Sequence, residues 1–270
     1  MNNPRPKKRL GQNFLIDKNI RVKIAAACDL SASDTVLEIG AGKGEITGLL
    51  AAKAGLVYAL EIDPSLCEIL KAGLSELHNI EILKADVLKF DLNGFFKKLS
   101  GKVKVVGNIP YYITTPIIER LIEHRDKISS AFIMVQKEFA LRAASVPGSK
   151  SFGSLSCFIQ YYTSPKILFP ISKSCFYPAP KIDSSFLQLE MRGEPAVKVN
   201  DEELFLKIIH SGFGQRRKTL RNSLKGIIPQ QKLEAFFEKY GIDKNIRPER
   251  MSLPDFANLA NLVNTLNGDA

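Results

Sequence analysis

Residues 35–44, Thr-Val-Leu-Glu-Ile-Gly-Ala-Gly-Lys-Gly, constrain the fold of this 270-residue chain more than any other stretch. Thr35 to Ile39 reads as a short buried strand, and a helix is expected from about Glu45 to Ala54. Between them, glycines at 40, 42 and 44 let the backbone turn sharply and let a ligand approach without meeting a Cβ atom. A strand, a glycine turn and a helix make the first half of a βαβ unit, which implies a parallel sheet covered by helices. The spacing is G-x-G-x-G rather than the G-x-G-x-x-G of dinucleotide binders. The glycine-Lys-Ser/Thr sequence of a phosphate loop is also missing, which argues against a nucleoside triphosphate.

The alternation continues along the chain. A strand from Leu56 to Glu61 ends in a carboxylate about twenty positions beyond the glycines, where a ribose-binding acid stands in nucleoside-binding sheets. Asp63-Pro64 opens a helix through Glu76, with Asp63 as N-cap and Pro64 at the first helical position, a local role that asks for no other. Ile80 to Lys84 ends at Asp86, a second carboxylate at a strand's carboxyl end. The strand through Val103, Val105 and Val106 stops at Gly107-Asn108-Ile109-Pro110-Tyr111. Pro110 keeps the Ile109 carbonyl out of a helix, so that carbonyl, the Asn108 amide and the Tyr111 ring can converge on the exocyclic amine of a planar base. The alternative is an ordinary strand-to-helix turn with a packed tyrosine. Further helices are expected at Thr115–Glu123, Lys137–Ala144 and Ser154–Tyr162, and strands at Ala131–Gln136, Lys166–Phe169 and Ser184–Met191. Phe176-Tyr177-Pro178-Ala179-Pro180 is a stiff turn that either fixes an aromatic side chain or merely connects.

Charge narrows the partners. Lys and Arg number 38 against 28 Asp and Glu, a formal +10, which favours a polyanion and puts nucleic acid first. The chain lacks an apolar run of about eighteen residues and an N-terminal leader pattern, so a cytoplasmic protein without a membrane span is expected. Cys28, Cys67, Cys157 and Cys175, with His78, His124 and His210, have no metal-ligand spacing, and no metal is expected.

Two basic segments stand out. Arg5, Lys7, Lys8 and Arg9 lie around two prolines in an extended arm that either follows phosphates or is a solvated tail. After a polar linker at Arg192-Gly193-Glu194-Pro195, every segment reads as helical: 201–213, 218–225, 229–240 and 254–264. This divides the chain into an arm with an α/β domain, 1–192, and a small all-helical domain, 193–270. From Leu204 to Lys225 the charged residues are Lys207, Arg216, Arg217, Lys218, Arg221 and Lys225, with no Asp or Glu among them. An unmixed run favours contact with phosphates over a solvated face.

Taken together, Gln12-Asn13-Phe14-Leu15, Glu38 to Gly44, Glu61-Ile62-Asp63, Asp86, Asn108 to Tyr111 and Phe176 to Ser184 closely resemble the KsgA family of ribosomal RNA adenine N6-dimethyltransferases, from the arm to the C-terminal helices. Ile109 replaces a usual Leu, and Ala41-Gly42-Lys43 a common Pro-Gly-Leu. The resemblance implies a Rossmann-like, class I S-adenosylmethionine-dependent methyltransferase fold with a helical C-terminal domain. It implies donor contacts from Asn13, Leu15, Gly40, Glu61, Asp86 and Asn108, and an adenine held by Asn108, Tyr111 and Phe176. The two basic segments, read on their charge, make Arg5, Lys7, Lys8, Arg9, Arg216, Arg217, Lys218 and Arg221 the expected RNA contacts. The implied substrate is a pair of adjacent adenosines in the 3'-terminal hairpin of 16S ribosomal RNA, met by a monomer within a small-subunit particle. Two alternatives stay open: an assembly checkpoint factor with secondary catalysis, and a large-subunit ribosomal RNA adenine methyltransferase that confers antibiotic resistance. The stretches 215–224 and 247–250 look more like the small-subunit group.

Overall fold

The computed structural model describes residues 6–215 and 217–268, the side chains of Lys8 and of 265–268 excepted. In chain order the first unit carries β1 (Phe14–Leu15), α1 (Lys18–Ala27), β2 (Thr35–Ile39), α2 (Thr47–Ala51), β3 (Leu56–Glu61), α3 (Pro64–Gly73), β4 (Ile80–Lys84), α4 (Leu92–Phe96), β5 (Val103–Asn108), α5 (Thr114–Glu123) and β6 (Ile128–Gln136). Then follow α6 (Lys137–Ala143), α7 (Ser154–Tyr162), β7 (Thr163–Ile171), β8 (Phe176–Tyr177) and β9 (Ser184–Met191). The remainder is α8 (Glu202–Phe213), α9 (Leu220–Ser223), α10 (Gln230–Tyr240) and α11 (Leu253–Gly268).

Seven strands form one sheet in the order β4-β3-β2-β5-β6-β9-β7. The pairs from β4 to β6 are parallel, and β9 joins β6 antiparallel. After β2 the chain steps outward to β3 and β4, then returns to the other side of β2 for β5. That reversal makes a crevice at the carboxyl ends of β2 and β5, where open α/β sheets bind ligands. This is a Rossmann-like α/β architecture. The central strands are buried on both faces, which explains their runs of β-branched residues: Val36, Val57 and Val106 share a core with Phe132, Met134 and Phe186. Helix α5 buries Ile117, Ile118, Leu121 and Ile122, the spacing of one helical face.

Caps start the helices where short acids stand. Asp17 accepts from Ile20 N at 3.0 Å, Asp91 from Gly94 N at 2.9 Å and Asp201 from Leu204 N at 2.9 Å. Helix α2 is shorter than the pattern predicts, because the turn runs on past Gly44 at φ +85° before Thr47 begins the helix. Helix α3 stops at Gly73 rather than Glu76, and α9 spans Leu220–Ser223 rather than 218–225.

Two compact units result, Met1–Ala140 with Ser164–Gly193, and Leu141–Thr163 with Glu194–Ala270. Helix α7, placed by the sequence reading in the first domain, therefore groups with the C-terminal helices. The reason is direct bonding: Tyr161 and Tyr162 hydroxyls donate to Glu202 at 3.2 and 2.6 Å, and Ala196 N donates to Tyr161 O at 2.8 Å. The rings of Tyr161 and Phe205 lie 4.8 Å apart.

Candidate active site

The crevice holds a cavity of about 210 Å³, walled by the arm residues Leu10–Leu15, by residues 38–42 after β2, by Glu61 and Asp86, and by Asn108–Ile113. Register brings two of these walls together. Ile39 is the partner of Gly107, so Gly40 comes against the end of β5, and a Cβ on Gly40 would sit 3.2 Å from the Asn108 carbonyl oxygen. Gly40 also has φ +74°, a conformation that only glycine adopts without strain.

Glu61 closes β3 with both carboxylate oxygens fixed by backbone. Oε2 accepts from Gly42 N at 2.9 Å and Oε1 from Asp63 N at 2.8 Å. Burial raises its pKa against the lowering effect of those N–H groups. Asp86 accepts from Leu88 N at 3.0 Å through Oδ1, which fixes the turn after β4 and sets the side chain on the cavity wall.

Glu38, which opens the Glu38–Gly44 motif but was given no role of its own by the sequence, also lines this cavity. It is 3% exposed, its Oε2 has no hydrogen-bond partner, and burial pushes its carboxyl up to about 8. An unpaired buried carboxyl oxygen is costly, and a ligand that donates hydrogen bonds and carries positive charge would satisfy it. The alternation of β2 held the signal, since Glu38 is the one charged residue in an otherwise uncharged strand.

Asn108 and Tyr111 converge on the same cavity. Asn108 Nδ2 donates to the Asn13 carbonyl at 3.0 Å, which leaves the Oδ1 end of the amide as an acceptor. The Tyr111 hydroxyl lies 2.5 Å from the hydroxyl of Ser184, a fully buried residue at the start of β9, so the ring is held at its far end. Burial raises the Tyr111 pKa, and the Ser184 bond only partly offsets this.

Phe176, expected against the adenine, stands apart from these residues. It is 3% exposed, belongs to the hydrophobic core and is not part of the cavity wall. The cause is a two-residue antiparallel ladder of β1 with β8, which pairs Leu15 with Phe176 and Phe14 with Tyr177. That ladder turns Phe176 into the core and leaves Tyr177 61% exposed. Leu15 is likewise core, 3% exposed, while still lining the cavity together with Asn13.

The basic residues divide. Lys7 is ion-paired with Asp63 at 2.6 Å rather than free for a phosphate. Arg9, Arg217 and Lys218 are exposed. Arg221 pairs with Glu234 of α10 at 2.9 Å, so the run that is unmixed in sequence is mixed in space. Arg5 and Arg216 lie outside the described residues, as does the Lys8 side chain. Among the described residues no group of three or more His, Cys, Asp or Glu could hold a metal, and no helix is long and apolar enough to cross a membrane.

Comparison with known proteins follows the same lines as the geometry. The model of a family described as ribosomal RNA adenine dimethylase matches residues 3–265. The ribosomal RNA small subunit methyltransferase A of Clostridium botulinum (strain Loch Maree / Type A3) is 41% identical over 257 residues, covering 95% of this chain and 93% of the relative. The protein of the same name from Alkaliphilus metalliredigens is 42% identical over 261 residues, covering 95% and 91%. Among solved structures, a dimethyladenosine transferase from Plasmodium falciparum superposes with a TM-score of 0.78 at 25% identity, over 91% of this chain and 95% of its own. The 23S rRNA methyltransferase ErmE superposes at 0.75 with 27% identity, over 93% and 100%.

Proposed function

The chain belongs to the ribosomal RNA adenine dimethylase family, and from that premise we propose that its cavity seats S-adenosylmethionine beside an adenosine of small-subunit ribosomal RNA. The enzyme transfers methyl groups from that donor to adenine N6. The large-subunit alternative is not favoured, since identity to the small-subunit methyltransferases exceeds that to ErmE, 41% against 27%. The observation that carries the site assignment is the convergence of Glu61, Asp86, Gly40 and Asn108 on one cavity at the reversal of the sheet.

S-adenosylmethionine supplies an electrophilic methyl group on a sulfonium centre. Glu61, already anchored by two backbone N–H groups, accepts from ribose hydroxyls with its remaining lone pairs. Asp86 accepts from the donor's adenine amine. Gly40 leaves room for the donor's close approach, and Asn13 and Leu15 complete the wall from the arm side. The two acids Glu61 and Asp86 on the wall suit a cation.

The target adenine amine is a poor nucleophile because its lone pair is delocalised into the ring. Asn108 Oδ1 and the Ile109 carbonyl accept its two N–H groups, which favours a pyramidal nitrogen with its lone pair turned to the methyl group. The Pro110 carbonyl is engaged by Ile113 N, so it does not compete for those hydrogens. Tyr111, braced by Ser184, stacks on an adenine lifted from its RNA. Transfer would form the N6–C bond as the donor's S–C bond breaks, leaving S-adenosylhomocysteine, and the methylated ammonium would pass its proton to water, so the part of these residues is to position the reactants.

On this reading the protein acts as a monomer, and the target is two adjacent adenosines of the 3'-terminal hairpin within a small-subunit particle. Exposed Arg9, Arg217 and Lys218 contact phosphates. Incubating the enzyme with labelled donor and small-subunit particles, then digesting the RNA to nucleosides, tests this. Label in N6,N6-dimethyladenosine supports it, and label only after incubation with large-subunit RNA overturns it.

A further inference from the structure

Asp63 does far more than cap α3. Its carboxylate is 1% exposed and fully occupied. Oδ1 accepts from Lys7 Nζ at 2.6 Å, from Ser65 N at 3.0 Å and from Ser65 Oγ at 2.7 Å, and Oδ2 accepts from Gln12 Nε2 at 3.2 Å. Lys7 N in turn donates to Gln12 Oε1 at 2.8 Å, so Lys7, Gln12 and Asp63 close a ring of hydrogen bonds. On its other side the Asp63 N–H holds Glu61 Oε1 at 2.8 Å, and Glu61 Oε2 holds Gly42. A helix cap needs one of these bonds, from Ser65 N. The two bonds from Lys7 and Gln12 reach across 56 and 51 positions to the arm.

Residues Leu10–Leu15 of that arm form one wall of the donor cavity, and Glu61 forms another. We propose that Asp63 is a positioning residue for donor binding, clamping the N-terminal arm, through Lys7 and Gln12, to the ribose-binding carboxylate Glu61. Lys7 thereby belongs to the donor site and not to the RNA surface. Burial pushes the Asp63 carboxyl up, but the bonds from Lys7, Ser65 and Gln12 outweigh it and hold it down at about 2, so the clamp is charged throughout the working pH range. The proposal rests on the assignment of this cavity to S-adenosylmethionine.

Asp63→Asn is a selective test, because Asn caps a helix as well as Asp but presents an N–H₂ group and no charge to Lys7 and Gln12. Lys7→Met removes the same ion pair from the arm side and leaves α3 intact. By calorimetry each variant binds S-adenosylmethionine roughly tenfold more weakly, the lower range for a hydrogen bond to a charged group. The double variant is no weaker than Asp63→Asn alone, since the Lys7 ion pair is already lost there. The Michaelis constant for the donor rises in step, while turnover at saturating donor and the salt dependence of particle binding stay as in the wild type. Donor affinity equal to wild type in both single variants overturns the proposal. So does a Lys7→Met variant with normal donor affinity whose particle binding loses about one unit of log-log salt slope, which returns Lys7 to a phosphate. Glu61→Ala measured alongside separates the two levels: normal donor binding in that variant too would remove the donor-site assignment itself.

Discussion

The side-chain amide of Asn108, at the end of β5, donates to the main-chain carbonyl of Asn13 in the arm at 3.0 Å, across 95 positions of sequence. One hydrogen bond thus orients the Asn108 amide and ties the arm to the end of β5. On the function proposed above, donor site and target site share this residue, and perturbations of either can be separated by what they leave intact.

Glu61→Ala and Asp86→Ala each remove an acceptor from the donor cavity. A hydrogen bond to a charged group is worth about 1.5–3 kcal/mol, so calorimetry should find S-adenosylmethionine bound roughly 10- to 100-fold more weakly in each. Two variants that bind as the wild type does would contradict the cofactor assignment.

Gly40→Ala places a Cβ 3.2 Å from the Asn108 carbonyl at φ +74°. The left-handed conformation costs about 1–2 kcal/mol in a non-glycine residue, and the crowding pushes on the Asn108 backbone. Denaturant unfolding should report a loss of that size together with weakened donor binding. Unchanged donor affinity would place the close approach elsewhere.

Glu38 sets a pH dependence of stability. Its folded pKa is raised to about 8 by burial, above the ordinary value of 4.5, so in that interval the folded chain keeps a proton that the unfolded chain has released. Stability is therefore full below the unfolded value and falls as pH rises towards 8, with a slope of up to about 1.4 kcal/mol per pH unit. Glu38→Gln, which stays neutral, should flatten that fall in unfolding measured without donor at pH 5.5, 6.5 and 7.5. Parallel curves for the two proteins would refute it.

The strand ends were readable in the chain itself. Thr35–Ile39, Leu56–Glu61, Ile80–Lys84 and Ser184–Met191 stand where the pattern puts them, as largely apolar runs punctuated at or within two residues of their ends by a glycine or an acid. With them came the crevice and its carboxylates. The β1–β8 ladder was not readable: two residues long and joining positions 14–15 to 176–177, it has no periodicity to announce it. That ladder decides which of Phe176 and Tyr177 is buried. The partners of Lys7 and Arg221 escaped notice for a related reason, since Asp63 and Glu234 lie 56 and 13 positions away and charge runs reveal only neighbours in sequence.

Arg217 and Lys218 are exposed, whereas Arg221 already has a carboxylate partner. Replacing the first two by Ala should weaken particle binding and flatten its log-log salt dependence by up to about 1.8 units, at about 0.9 per phosphate contact. Tyr111→Ala should instead impair turnover and leave that slope alone, because stacking on a base is not a counterion-releasing contact. Titration of particle affinity against salt for both variants decides the matter, and an unaltered slope in the Arg217/Lys218 variant would assign that surface to solvent.

Asn108→Ala tests the central claim most directly, in single-turnover methylation of small-subunit particles at saturating donor, read as N6-methylated and N6,N6-dimethylated adenosine. Losing one preorganised polar group from the site should slow the step by at least about 10²-fold while donor affinity changes far less. Methylation at the wild-type rate would contradict the account, since the amine would then be oriented by something other than Asn108 and its neighbouring carbonyl.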